Sequence, residues 1–423
     1  MESQELGLQK MNNSLLPLEE AIKNILKNIK TLPSCDLPIY ETLGFTLAKP
    51  VFSNVDNPPT SVSSMDGYAI AFKDIKKNSF SLKCIGEVSA GNKAKLKVGP
   101  GETIRIFTGS EIPIGADTVV IQEDTNIDKT KSNKIKFQNN NIHKGQYIRI
   151  KGLDFFKGQK LIEKKTILNV RSIALAASAG VSWVSVIQKP KIAILSTGNE
   201  LIRPGEFYKK SKNNIFSSNG IFLFNFIKTM GADPFYLPLV KDSIESIEKI
   251  ADITHNCDLI VSSGGASVGD YDLIKKSFIN SHKNKFELDF WKIAMRPGKP
   301  LFFGKLNSIP FLGLPGNPVS TGVCSVIFLQ KIIKKFLGQQ TDDNIVYLPL
   351  GKSLKENDLR KDFLRSKILK KKKGQTFVIP YDTQDSSQTL IFAKSDCFII
   401  REPYSKKVDK NTPVPVLLLP ELI

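Results

Sequence analysis

Apolar positions first recur at helical spacing over residues 18–30, LEEAIKNILKNIK, where Leu18, Ala21, Ile22, Ile25, Leu26 and Ile29 form one stripe. Across roughly residues 50–150 the period shortens, and runs such as SFSLKCIGEV, TIRIF and DTVVIQED are β-like and broken by Gly, Pro, Asn and Asp. A helix is predicted over 169–179, NVRSIALAASA, with Gly180 placed to stop it. From Lys191 onward strand-like and helix-like segments alternate. KIAILST, DLIVSS and FLGL read as strands; GIFLFNFIKTMG (ending at Gly231), SIESIEKIADIT and the long PVSTGVCSVIFLQKIIKKF read as helices. Such alternation predicts a mostly parallel, doubly wound α/β sheet. After Gly338 the chain turns β-like to its end, and Lys370 to Gly374 reads as a solvated hairpin turn between FLRSKIL and TFVIP.

Composition narrows the class of molecule. The 423 residues suggest two to four domains, and 41% hydrophobic with 24% charged residues is an ordinary soluble balance. No stretch reaches the roughly 18 uncharged apolar residues of a membrane span. The opening MESQELGLQKMNNS lacks a basic-then-apolar secretory layout, so a cytoplasmic location is expected. Five scattered cysteines and three isolated histidines offer neither a disulfide framework nor a zinc pattern. Any metal should therefore have oxygen ligands, which suits magnesium. The net charge of +19 raises two partners, nucleic acid and small polyanions. No basic stretch is interleaved with aromatics, so background composition that locally favours anionic substrates is the preferred reading.

In doubly wound sheets ligands bind at the carboxyl ends of strands, which directs attention to three loops. Ser196-Thr197-Gly198-Asn199-Glu200 offers hydroxyls, a glycine and a carboxylate, although such residues also make ordinary turns. Ser262 to Asp272 includes Gly264, Gly265, Ser267 and Gly269, which allow close backbone approach to a phosphate. It is not a Walker loop, because Asp270-Tyr271 stands where Lys-Ser/Thr is required. In Pro315-Gly316-Asn317-Pro318, Asn317 is a good N-cap and Pro318 suits the first helical position. Arg296 and Lys299 flank a rigid Pro-Gly turn, with Lys292 upstream. Asp242 heads a D-x-x-E capping box, a purely structural explanation for it.

Seven ordered segments, SSMDGYA, RIFTGSEIPIGADTVV, YIRIKGLDFFKG, ILSTGNEL, SSGGASVGDYD, MRPGKP and LPGNP, together resemble the molybdopterin molybdenumtransferase family, that of MoeA and the gephyrin E domain. The resemblance implies an elongated domain from residues 1–50 and 150–180, a β-rich domain at 51–149, a molybdopterin-binding α/β domain at 181–337 and a small β-barrel-like domain at 338–423. It implies a homodimer with its cleft formed between subunits, and a Mg²⁺-dependent reaction in which molybdate joins adenylyl-molybdopterin and AMP leaves. Other cofactor-biosynthesis proteins and apo-molybdoenzymes are implied partners. Carried over by position, Asp66, Thr108, Asp154, Glu200, Asp272, Lys292 and Arg296 match catalytic positions, with Glu200, Asp242 and Asp272 toward metal. Arg149, Ser196, Thr197, Gly198, Ser262, Gly264, Gly265, Ser267, Gly269, Lys299, Pro315, Gly316, Asn317, Pro318 and Ser386 match substrate contacts.

This chain departs from the family pattern at Leu153, where Glu is usual, at Ser217 for Asp, at Asp385 for Gly and at Arg296 for the commoner Lys. Rival readings are a molybdopterin adenylyltransferase, a non-catalytic scaffold of the same fold, and a basic nucleic-acid binder.

Overall fold

The computed structural model describes residues 15–76, 79–92, 94–127, 133–138, 141–207, 211–237, 239, 252–264, 285–370 and 374–420. The chain forms two compact units, one of residues 36–186 and one of residues 1–35 with 187–423.

In the 36–186 unit a six-stranded sheet runs Thr118–Ile121, Gly67–Ile70, Glu102–Ile106, Ser79–Val88, Lys134–Gln138, Thr125–Ile127. Phe80 and Leu82 point inward while Ser79, Ser81 and Lys83 face out, the period of two that marks a strand buried on one face. Phe80 stacks on Phe137 at 5.0 Å inside a core that includes Tyr68, Ile70, Val120 and Ile135. The predicted helix forms over Val170–Ser178. Asn169 caps it, its side chain accepting from the Arg171 and Ser172 amides at 3.0 Å each, and Gly180 follows at φ +73.

The other unit holds a six-stranded sheet ordered Asp233–Tyr236, Lys191–Ser196, Leu259–Ser263, Ile309–Leu314, Phe302–Leu306, Phe286–Trp291. The first four are parallel and the last two antiparallel. The sequence pattern had not marked the last two as strands. A two-residue hairpin reverses the chain between Phe302–Leu306 and Ile309–Leu314, with Asn307 and Ser308 both at positive φ, 48 and 75. Ile192 and Ile194 enter one core and Ala193 and Leu195 another, so both faces of the sheet are covered, as a doubly wound sheet requires.

The first helix is shorter than its apolar stripe, Leu18–Lys27, because Asn28 turns its side chain back to the Asn24 carbonyl and out to Asp289. Leu18, Ala21 and Ile25 share a core with Ile332 and Ile333. Predicted as one long helix, residues 318–336 form Pro318–Cys324, a π segment over Ser325–Leu329, and Gln330–Phe336. The Ser325 hydroxyl bonds the Thr321 carbonyl at 2.8 Å within this distorted stretch.

The chain then builds a small barrel from Ile345–Pro349, Lys361–Lys370, Thr376–Pro380, Cys397–Arg401 and Pro413–Leu418. A bridge from Leu350 to Val378 closes it. Among the described residues no helix is long and apolar enough to cross a membrane.

Candidate functional site

Three loops meet at the carboxyl ends of the parallel strands. Gly264, at φ +91, passes so close to Thr197 that a Cβ there would stand 2.6 Å from the Thr197 carbonyl oxygen. A Cβ on Gly316 would lie 3.7 Å from Gly264 Cα. Asn219, in the helix Asn219–Thr229, joins the second and third loops: its Nδ2 donates to Ser263 Oγ at 2.8 Å and to the Gly316 carbonyl at 2.7 Å. The Thr321 hydroxyl donates to the Pro315 carbonyl at 2.6 Å, fixing the third loop to its helix. Ser196, Thr197, Ser262, Gly264, Pro315 and Gly316 are thus brought together.

The hydroxyls within this cluster are unusual. Ser196, Thr197, Ser217 and Ser262 are all buried, from 0% to 4% exposed, and their oxygens have no hydrogen-bond partner among the described residues. A buried unsatisfied hydroxyl costs about 1–3 kcal/mol. Ser196 and Ser262 end adjacent parallel strands on opposite faces of the sheet, Thr197 follows in the first loop and Ser217 precedes Asn219. These hydroxyls are candidates to bond a ligand. Sequence reasoning had marked Ser217 only as a departure.

Glu200 is exposed beyond the first loop, its carboxylate folded back over Gly198, where a Cβ would stand 2.8 Å from Oε1. Among the described residues no three His, Cys, Asp or Glu side chains gather as a metal centre. Asp242, Gly265, Ser267, Gly269 and Asp272 lie outside the described residues.

Two expectations are corrected. Asn317 occupies the N-cap position but makes no capping bond. Its Nδ2 donates instead to Ser386 Oγ at 2.9 Å, and the Val319 amide donates to the Ser386 carbonyl at 3.0 Å. This draws Ser386 and the barrel to the third loop. Arg296 is not a free cation for substrate, because Asp362 and Asp358 occupy its guanidinium. Its Nε donates to Asp362 Oδ1 at 2.8 Å and Nη1 to Asp358 Oδ2 at 3.1 Å, bonds that hold it above the usual guanidinium range. Of the other two cations, Lys292 Nζ lies 3.9 Å from the Trp291 ring centroid, and Lys299 is exposed.

Sequence reasoning missed Arg365. It is 2% exposed in the strand Lys361–Lys370; Nη1 donates to the Phe363 carbonyl at 3.2 Å, and Nη2 has no partner among the described residues. Burial pulls its guanidinium down to about 10. The neighbouring Gln384 Nε2 donates to its carbonyl at 3.0 Å, two residues before Ser386. An arginine in an alternating strand reads as a solvated side chain, so only burial reveals it.

The 36–186 unit holds its own polar cluster. Thr108 donates from both amide and hydroxyl to Asp66, and the Gly109 amide donates to the Ser63 carbonyl at 2.8 Å. Val62–Ser63 in turn pairs with Ile148–Arg149, so Asp66, Thr108 and Arg149 share one neighbourhood. Asp154 Oδ2 accepts from Asn57 Nδ2 at 3.2 Å, beside the exposed Leu153.

Residues 16–180 match the model of the MoeA N-terminal region (domain I and II), 193–335 that of a probable molybdopterin binding domain, and 347–419 that of the MoeA C-terminal region (domain IV). A molybdopterin molybdenumtransferase of Haemophilus influenzae is 31% identical over 393 residues, covering 92% of this chain and 95% of that protein. One from a Nostoc strain is 35% identical over 303 residues, covering 70% and 67%. A solved molybdopterin biosynthesis MoeA protein from Pyrococcus horikoshii superposes with a TM-score of 0.80 at 28% identity, over 96% of this chain and 99% of that one.

Proposed function

Because the chain belongs to the MoeA family of molybdopterin molybdenumtransferases, we propose that it inserts molybdenum from molybdate into adenylyl-molybdopterin and releases AMP. The observation that carries this reading is the set of buried hydroxyls at Ser196, Thr197 and Ser262 that have no partner among the described residues, on loops held together by Gly264 and Asn219. They are donors already desolvated for phosphate or pterin oxygens, and preorganised donors of this kind supply electrostatic stabilisation without reorganisation. Arg365, whose buried Nη2 has no partner among the described residues, and with it Lys299 and Ser386, are proposed to bind a tetrahedral oxyanion such as molybdate.

The exposed carboxylate of Glu200 suits Mg²⁺, which when bound would offset charge on phosphate oxygens. Asp242 and Asp272 complete the proposed ligand set. Asp66, Thr108, Arg149 and Asp154 are proposed as further polar site residues, and Lys292 as a cation near the substrate. We propose the four-domain division at 1–50 with 150–180, 51–149, 181–337 and 338–423, a homodimeric assembly and a cytoplasmic location. No covalent nucleophile is required, since positioning and charge compensation supply most of the acceleration in such transfers.

The test incubates purified protein with adenylyl-molybdopterin, molybdate and Mg²⁺, following AMP release and reconstitution of an apo-molybdoenzyme. Both signals are expected, and both should disappear with chelator and return with Mg²⁺. Adenylylation of molybdopterin from ATP without molybdenum transfer would point to the adenylyltransferase. Ligand binding without turnover would point to a scaffold.

A further inference from the structure

Asn317 stands at the N-cap of the helix Pro318–Cys324 without capping it, so a local bond that stabilises a helix by about 1 kcal/mol is given up for a distant one. The distant partner is Ser386, whose Oγ accepts from Asn317 Nδ2 at 2.9 Å. The backbone of Ser386 is held separately, its carbonyl accepting from the Val319 amide at 3.0 Å. Downstream, Phe392 sits against Gly322 of the same helix, where a Cβ would stand 2.4 Å from the ring, and it stacks on Phe398 at 6.2 Å. Upstream, Asp385 Oδ1 accepts from the Ser387 amide at 2.7 Å and from its hydroxyl at 2.6 Å, which fixes the turn around Ser386. Ser386 is therefore placed without Asn317, and what Asn317 adds is a bond to the hydroxyl alone. A serine hydroxyl has two lone pairs and one hydrogen, whereas an amide nitrogen can only donate. Asn317 consequently takes a lone pair and leaves the hydrogen, which has no acceptor among the described residues, on a side chain that is only half-buried. A hydroxyl that accepts one bond is also polarised to donate another more strongly.

We propose that Asn317 is a positioning residue that acts through Ser386: by donating to the hydroxyl oxygen it turns the hydroxyl hydrogen away from itself, as a donor for one oxygen of a tetrahedral oxyanion. The third loop thus sets the polarity of a hydroxyl that the barrel supplies. The inference rests on the molybdate reading above and replaces the substrate contact expected of Asn317 with an indirect one.

The experiment measures equilibrium molybdate binding by the full-length protein, together with KM for molybdate, kcat and thermal melts, in Asn317→Ala, Ser386→Ala and the double variant. Ser386→Ala is expected to weaken molybdate about tenfold, the scale of one hydrogen bond to a charged group, with the change in KM rather than kcat. Asn317→Ala should weaken it about threefold, because the released hydrogen is shared among three staggered positions. Its melting temperature should stay near the parent's, since no helix cap is lost and the Val319 and Phe392 contacts remain. The double variant should be no weaker than Ser386→Ala, because nothing is left for Asn317 to orient. Should Asn317→Ala fail to fold, Asn317→Asp carries the test: it keeps the shape but its carboxylate can only accept, so it draws the serine hydrogen onto itself and should weaken molybdate at least as far as Ser386→Ala. A double variant weaker than Ser386→Ala by the full factor seen in Asn317→Ala would overturn the proposal in favour of an independent contact by Asn317. Parental affinity in Asn317→Ala or Asn317→Asp would overturn it as well, and lowered melting beside it would make the bond structural only. Parent protein that neither binds molybdate nor forms cofactor would instead sink the molybdenum-transfer reading itself.

Discussion

Thr108 donates twice to a single oxygen of Asp66, its amide at 2.7 Å and its hydroxyl at 2.8 Å from Oδ1. These bonds, the amide first, hold the Asp66 carboxyl below its ordinary range. A depressed folded pKa favours the carboxylate, so its contribution is present above the unfolded value of about 3.9 and is lost as pH falls through the folded value. Thr108→Val keeps the amide bond and removes the hydroxyl. The Asp66 midpoint, read by NMR titration of the side chain, should rise toward the ordinary value, and the acid limb of activity should rise with it. A midpoint that moves while the limb stays put would remove Asp66 from the reaction.

Gly264 is the position where the backbone leaves no room. At φ +91, with a Cβ falling 2.6 Å from the Thr197 carbonyl and 3.0 Å from its Oγ1, Gly264→Ala must push the first and second loops apart. The expected cost is about 1–3 kcal/mol, with activity lost beyond what stability explains. Gly374→Ala is the control: φ is +80, nothing lies within 4 Å, and only a backbone cost of about 1–2 kcal/mol should appear, with activity retained. Equal activity loss in both variants would mean the close approach at Thr197 is unimportant.

Local pattern carried much of the fold and little of the site's wiring. The stripe through Leu18, Ala21 and Ile25, the cap at Asn169 and the run Leu259–Ser263 are short-range signals, and each became the expected element. Phe286–Trp291 carries the period-two strand signal, with Glu287 and Asp289 alternating with its apolar residues, and was overlooked; the turn after its neighbouring strand, Asn307-Ser308, is not one of the Gly-bearing pairs that announce a hairpin. The π segment at Ser325–Leu329 has uniformly buried, helix-compatible residues and gives no local cue. Asn317 to Ser386 and Arg296 to Asp362 span 69 and 66 residues, and propensity has no reach over such distances. Loop chemistry picked out Ser196, Thr197 and Ser262; tertiary packing added Ser217 and Arg365.

Ser262 is fully buried and its hydroxyl has no partner among the described residues, as its proposed role in holding ligand requires. Ser262→Ala should leave the melting temperature unchanged or raise stability by about 1 kcal/mol, because an unsatisfied donor disappears from the interior. Affinity for adenylyl-molybdopterin should fall nonetheless. Stability and affinity moving in opposite directions separates a binding hydroxyl from a structural one, and a variant that melts earlier while binding normally would refute the assignment.

Asn219 spans the two loops that the strands alone do not join. Its single amide nitrogen serves Ser263 Oγ and the Gly316 carbonyl, so Asn219→Ala leaves both acceptors without this donor and should cost about 1–3 kcal/mol. Asn219→Asp distinguishes wiring from bulk. It keeps the shape but faces the Gly316 carbonyl with a second acceptor, so it should lower kcat at least as far as alanine does despite filling the space. Hydrogen exchange supplies the structural check: protection at the Thr197 amide, which donates to the Ser263 carbonyl at 3.3 Å, should fall in both variants while that in the barrel strand Cys397–Arg401 persists. If aspartate were tolerated and alanine were not, side-chain volume rather than the donated bonds would be what holds the loops together.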